Sequence, residues 1–377
     1  MAHTSTPQSS SPLLLVERQR ATLHWHPKSG AAGYLGGEFG SYPPLAENHR
    51  QRHAADPLAD PSGTQRPSIS EIAVTTPADM DLGAARVFAV TLDGKAMAAM
   101  LRAQVKKDVD VLRQQGITVG LAVALIGDDP ASQVYVRGKV KACQEVGIES
   151  TMQALPATTT QAELVALVDL WNADPAVDGI LVQLPLPKGI EQRAIIDRID
   201  PSKDVDGFHP FNLGLLASGR PRLVACTPAG VMHMLKVYGQ AYGWTPAGKR
   251  AVVLGRSITV GRPMSLLLTN ADATVTVCHS RTPDLAGRVA EADLVIAAAG
   301  SPQLVKGAWI KPGAVVVDVG IHRNADGSLC GDVEYATARL RAAALSPVPG
   351  GVGPMTIAQL MRNCVDAAAQ RRGIILG

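Results

Sequence analysis

Aromatic residues make up only 4% of this 377-residue chain. A base-stacking platform needs aromatic faces, so binding of single-stranded nucleic acid is not indicated. Charge of one sign is also scarce. The formal net charge of +3 is too diffuse for a nucleic-acid footprint. No C-x-x-C occurs, and the five cysteines, at 143, 226, 278, 330 and 364, are widely and irregularly spaced. That excludes a zinc ribbon or a disulfide framework and suits a reducing cytoplasm. No metal is expected. The longest apolar runs, such as 294–299, fall far short of the ~20 residues that span a bilayer. The stretch 13–16 is too short for a signal-peptide core. What is present, 46% hydrophobic and 18% charged residues, is the mix of a globular protein. The length suggests two domains with room for a tail.

Residues 1–84 stand apart. They hold nine of the 26 prolines and five of the nine histidines, and no helix or strand period persists in them. This composition predicts a disordered extension, dispensable for chemistry. Its eight acidic residues argue against a transit peptide, and Met80 is a natural start for the ordered part. Beyond it the pattern is α/β. The spacing predicts an amphipathic helix over 92–112 and a buried strand over 117–126. A helix follows, started by Asp129-Pro130 and stopped by Gly147. Next come a helix over 161–172 and a strand over 179–184. A second series has strands at 251–254, 273–278, 293–298 and 314–319, with helices such as 263–270 between. That alternation predicts parallel sheets and a doubly wound, Rossmann-like second domain. The expected organisation is a substrate domain over 85–225, joined by a returning helix at 355–377, and a nucleotide domain over 226–354. Thr227-Pro228 can start a linking helix.

The stretch 253–263 lies between a strand and a helix. It is not G-x-G-x-x-G, but Gly255 permits a tight turn and Gly261 lets the backbone approach a ligand. The helix behind offers its N–H groups to a pyrophosphate. An ordinary strand-to-helix turn remains open for this segment alone. No carboxylate follows the next strand, where an NAD-specific fold places one on the ribose. Arg256, Ser280 and Arg281 could instead hold a 2′-phosphate, which favours NADP.

On the helix from 130, Ser132, Tyr135 and Lys139 share one face. Val136, Val140 and Cys143 lie on a neighbouring face that should pack on the core. Tyr-x-x-x-Lys is a known catalytic pairing, since burial can ready a lysine for proton transfer. As a bare motif it is more often a solvated face. Short-chain dehydrogenases carry it downstream of their glycine loop, whereas here it lies upstream. Gln183 ends a buried strand, where ligands are met. In 203–208, one or both of Asp204 and Asp206 could read a nitrogen-rich ring, or simply cap a turn. The rigid, small-sided stretch 347–356 allows close approach to a flat ligand. Cys226 reads as a packing thiol. His209 and His279 have no evident partner.

Together the motifs at 127–139, 179–187, 203–207, 255–263 and 347–356 resemble the bifunctional methylenetetrahydrofolate dehydrogenase/methenyltetrahydrofolate cyclohydrolase family. The resemblance covers about 87–377. It implies that Lys139 is the catalytic lysine, that Tyr135 packs on the folate rings, and that Gln183 contacts the lysine. It implies that Asp206 holds the pterin and that Leu184, Pro349 and Gly350 line the folate pocket. Gly255, Arg256, Ser257, Ser280 and Ile321 correspond to NADP contacts. Tetrahydrofolate derivatives are the implied ligands and a homodimer the implied assembly. The family pattern is departed from at two places, Ile258-Thr259 in the glycine loop and Ala225 before Cys226. Three other readings stay open: a dehydrogenase-only enzyme of the same fold, a shikimate- or amino-acid-type dehydrogenase, and a non-catalytic NADP sensor.

Overall fold

The structure is a computed structural model and describes residues 88–376. The extension expected over 1–84, with Met80, lies outside the described residues. The first part runs β1 (Val90–Thr91), α1 (Gly94–Gln114), β2 (Gly120–Ile126), α2 (Pro130–Val146), β3 (Glu149–Leu155), α3 (Gln161–Ala173) and β4 (Gly179–Val182). Asp93 caps α1 by accepting from the Lys95 and Ala96 amides at 2.9 and 3.1 Å. The buried stripe Ala98, Leu101, Val105, Val109 and Leu112 has the three-and-four spacing of a helix facing the core. Strands β3-β2-β4 form a parallel sheet in that order. Central β2 is buried on both faces, as its Leu/Ala/Val/Ile run requires. Edge strand β3 exposes Glu149, Thr151, Met152 and Gln153. It therefore carries no apolar run, and the hydrophobic pattern does not reveal it.

Three helices follow, α4 (Gln192–Arg198), α5 (Pro210–Ala217) and α6 (Cys226–Tyr242). The second series is β5 (Arg250–Leu254), α7 (Gly261–Asn270), β6 (Thr274–Cys278), α8 (Leu285–Ala290), β7 (Leu294–Ala297) and β8 (Val315–Asp318). A short hairpin, β9 (His322–Arg323) and β10 (Leu329–Cys330), precedes α9 (Tyr335–Ala338), β11 (Ala344–Leu345) and α10 (Val352–Arg371). The six-stranded sheet has the order β1-β11-β8-β7-β5-β6 and is parallel throughout. Strand β1, which precedes α1 in the chain, thus belongs to the second sheet. Strand β5 has β6 on one side and β7 on the other, so the winding direction reverses there. Ligands of such sheets meet the carboxyl ends of the strands at that point.

Helix α10 returns to pack on α1, α2 and α6, with Met355, Ala358, Met361 and Cys364 buried. The start of α1 is locked against the loop before α10. A Cβ on Gly94 would lie 1.7 Å from the Gly351 carbonyl oxygen, and the Lys95 amide donates to Gly350 at 3.1 Å. Only glycine fits at position 94. This contact fixes the loop 347–351 beside α2.

Candidate active site

Helix α2 begins where Asp129 accepts from the Ser132 amide at 2.7 Å, with Pro130 at the first position. It ends at Gly147, left-handed with φ 84°. Burial of Val136 and Cys143, with Val140 packed beside them, sets its rotation. Ser132 and Lys139 are thereby drawn inward, while Tyr135 stays 38% exposed.

Lys139 is 8% exposed, and its Nζ donates to Gln183 Oε1 at 3.0 Å. Gln183 sits just beyond β4, its amide donating to Ala124 of β2 at 2.9 Å. Its Nε2 donates to the Leu184 carbonyl at 2.7 Å, which turns the amide oxygen toward the lysine. No ion pair among the described residues includes Lys139.

The segment 203–208 divides its tasks. Lys203 is buried and donates to the Trp171, Asn172 and Asp174 carbonyls at 2.7–2.8 Å, capping α3. Asp204 accepts from the Gly207, Phe208 and His209 amides and from Asn212 Nδ2, all within 2.8–3.1 Å. It is committed to the turn. Asp206 makes no side-chain hydrogen bond among the described residues. Its surface is partly accessible, yet burial of the carboxyl pushes its pKa up, opposed by the Lys139 charge and reinforced by Asp204. Lys139, Gln183 and Asp206 therefore belong to one electrostatic neighbourhood. Cys226 donates to the Val205 carbonyl at 3.2 Å, and burial raises its thiol well above the usual range. It packs, as expected, and is no nucleophile. His209 caps α5 by accepting from the Phe211 amide at 3.0 Å.

A cavity of about 390 Å³ is lined by Tyr135, Thr227, Val260, Ile321, Pro349 and Gly350, while Lys139 and Gln183 do not line it. Lys95 and Asp318 also reach its wall, neither of them singled out by the sequence. Lys95 could not have been, because only the Gly94–Gly351 contact brings it there. Leu184 and Asp206 line a separate small cleft along β4 with Phe208. The expected substrate residues are thus split between the two.

A second cavity, about 490 Å³, lies at the reversal point of the large sheet. Gly255 and Arg256 line it after β5, Ser280 after β6, and Ala299 and Ser301 after β7. Gly255 has φ 118°, and a Cβ there would be 2.1 Å from the Ala298 carbonyl oxygen. Gly261 is needed for the loop itself: a Cβ on it would lie 2.2 Å from Gly255 O, so its bareness lets the loop close. Ser257 accepts from the Val260 and Gly261 amides at 3.1 and 3.4 Å, bracing the start of α7. Ile321, 50% exposed, faces the first cavity. Of the five expected cofactor residues, Gly255, Arg256 and Ser280 share the second cavity; Ser257 and Ile321 do not line it. His279 lines it and accepts from the Arg281 amide at 3.2 Å. No acidic side chain lines this cavity among the described residues, so it suits an anionic nucleotide, including one with an extra phosphate.

Residues 92–206 match the family model for the tetrahydrofolate dehydrogenase/cyclohydrolase catalytic domain, and residues 225–372 match the NAD(P)-binding domain of the same family. The bifunctional protein FolD of Magnetococcus marinus is 56% identical over 284 residues, 75% of this chain and 98% of that protein. The crystal structure of the bifunctional FolD dehydrogenase/cyclohydrolase from Campylobacter jejuni is 48% identical, with a TM-score of 0.73 over 75% of this chain and 99% of that one. The Trypanosoma brucei enzyme, solved with NADP and an inhibitor, is 41% identical, with a TM-score of 0.72 over 76% of this chain and 99% of that one. With a lysine of α2 bonded to a glutamine beyond β4, a cavity without acidic side chains at the second sheet, and relatives matched over nearly their full length, the chain belongs to the tetrahydrofolate dehydrogenase/cyclohydrolase family.

Proposed function

We propose that the protein is a bifunctional one-carbon folate enzyme. It oxidises 5,10-methylenetetrahydrofolate with NADP+ and then hydrolyses 5,10-methenyltetrahydrofolate to 10-formyltetrahydrofolate. The observation that carries this reading is the 3.0 Å contact between Lys139 Nζ and Gln183 Oε1, in a chain of this family. Bound NADP+ would supply the hydride acceptor. Gly255, Arg256 and Ser280 would hold its anionic groups, with Ser257 shaping the glycine loop and Ile321 at the mouth of the adjoining cavity. Tyr135 would pack on the folate rings, Leu184, Pro349 and Gly350 would line the folate pocket, and Asp206 would hold the pterin. The protein's main part in the first step is alignment, worth roughly 7–11 kcal/mol when two reactants are well placed.

In the second step water adds to the methenyl carbon, and Lys139 accepts the proton that water loses. The bond from that carbon to N5 then breaks. Its electron pair returns to N5, which takes a proton from Lys139, and the remaining hydroxyl proton leaves to solvent as the formyl group forms. Gln183 holds the amine in place without adding a countercharge.

The substrate domain in this reading spans 85–225 with the helix at 355–377, and the nucleotide domain 226–354; two separate parallel sheets support the division except at β1, which joins the second sheet. The family resemblance further supports a homodimer. The reducing-compartment cysteine pattern supports a cytoplasmic enzyme, and no helix among the described residues is long and apolar enough to cross a membrane. The test is a pair of time courses, one with methylenetetrahydrofolate and NADP+, the other with methenyltetrahydrofolate alone. Both should proceed. Lys139→Met should slow the second roughly 10²–10⁴-fold. Full cyclohydrolase activity in that variant would refute the assignment, and a first reaction without the second would leave a dehydrogenase-only enzyme.

A further inference from the structure

We propose that Asp332 is a positioning residue of the nucleotide cavity, acting from behind its wall through the loop 299–301. This rests on the NADP reading of that cavity.

Asp332 is fully buried and does not line the cavity. Its Oδ2 accepts from the Ala299 amide at 2.5 Å and the Gly300 amide at 2.9 Å, and its Oδ1 from the Ser301 amide at 3.0 Å. Ala299 and Ser301 are the cavity wall beyond β7. Three successive backbone N–H groups form a concavity of the kind that binds anions. Here a carboxylate of the chain itself fills it from the protein side, so the loop is pinned before any ligand arrives.

The carboxylate is itself held. The Asp332 and Val333 amides both donate to Asp318, at 2.9 Å each, at the end of β8. His322 Nε2 lies 2.7 Å from Asp332 Oδ1; an ionised carboxylate only accepts, so Nε2 carries the hydrogen. Two glycines make room. A Cβ on Gly320 would be 2.4 Å from Asp332 Oδ1, and one on Gly331 would be 2.0 Å from Asp318 Oδ2. The β9–β10 hairpin thus delivers Asp332 to the back of the loop, with every lone pair it uses matched to a donor. An asparagine there would set its NH₂ against at least one N–H donor, whichever way the amide turned.

The experiment titrates NADP+ calorimetrically into the full-length protein, Asp332→Asn and His322→Gln, and assays methenyltetrahydrofolate hydrolysis, which needs no nucleotide. Asp332→Asn should weaken NADP+ binding about tenfold or more, because bonds to a charged acceptor are lost. His322→Gln keeps a donor and should weaken binding only about threefold. Hydrolysis should stay within about twofold in both. Wild-type NADP+ affinity in folded Asp332→Asn would overturn the proposal. If Asp332→Asn does not fold, His322→Gln decides: an equal loss of binding and hydrolysis would mark the network as merely structural. Failure of the functional reading is separate, since a wild-type protein that binds NADP+ without folate turnover would still report the Asp332 effect on binding.

Discussion

Lys139 Nζ and Gln183 Oε1 meet at 3.0 Å although 44 positions separate them. The lysine comes from the helix after β2 and the glutamine from the end of β4, which pairs alongside β2. A parallel sheet brings such residues to one edge, and the neutral amide restrains the amine without neutralising it.

Gln183→Leu keeps the bulk and removes the acceptor. Cyclohydrolase kcat should fall about 10²-fold while NADP+ binding is unchanged. Gln183→Glu should also lower kcat at neutral pH and move its optimum upward, since a carboxylate favours the charged form of an amine it faces. A pH–rate profile of both variants checks this; an unmoved optimum in Gln183→Glu would count against the lysine's role in proton transfer.

Gly255→Ala meets two obstacles, a backbone at φ 118° and a carbonyl oxygen 2.1 Å from the new carbon. Strain of this kind costs about 1–3 kcal/mol before the clash is added. Urea unfolding should show a loss of at least that size. NADP+ binding should fall with it, while hydrolysis of methenyltetrahydrofolate per folded molecule should be retained.

Lys203→Met removes three hydrogen bonds to the carbonyls that end α3. Two of its acceptors are only part-buried, so some exposure to water offsets the loss. We expect about 2–4 kcal/mol lower stability by denaturant titration. The KM for folate should hardly change, since Asp204 keeps the turn that presents Asp206. A large rise in KM with unchanged stability would show that Lys203 acts on the ligand instead.

Burial pushes Asp318 up to about 6, against the amides of Val333, Asp332 and Gly320, which favour its charged form. Between about pH 4 and 6 the folded state then holds a proton that the unfolded chain has released, so this group's contribution to stability falls as pH rises. The loss is at most about 3 kcal/mol across that window. In Asp318→Asn it disappears. The stability of the variant relative to wild type should therefore climb with pH from about 4 to 6 and level off above. A flat difference across that range would rule out a raised Asp318.

Much of this protein was legible in its sequence because local signals carried it. Asp129-Pro130 and Gly147 bounded α2, the apolar runs marked β2, β5, β7 and β8, and the missing carboxylate after β6 pointed to a phosphorylated nucleotide. Strand β3 stayed hidden because an exposed edge strand needs no apolar run. The tertiary structure alone decided which of two nearby carboxylates, Asp204 and Asp206, was spent on a turn and which remained accessible. It placed Lys95 on a cavity wall, turned Gly261 toward its own loop, and set Asp332 behind residues 299–301. Each of these depends on a contact between segments distant in the chain, and spacing along a sequence carries no information about which backbone will arrive at that point in space.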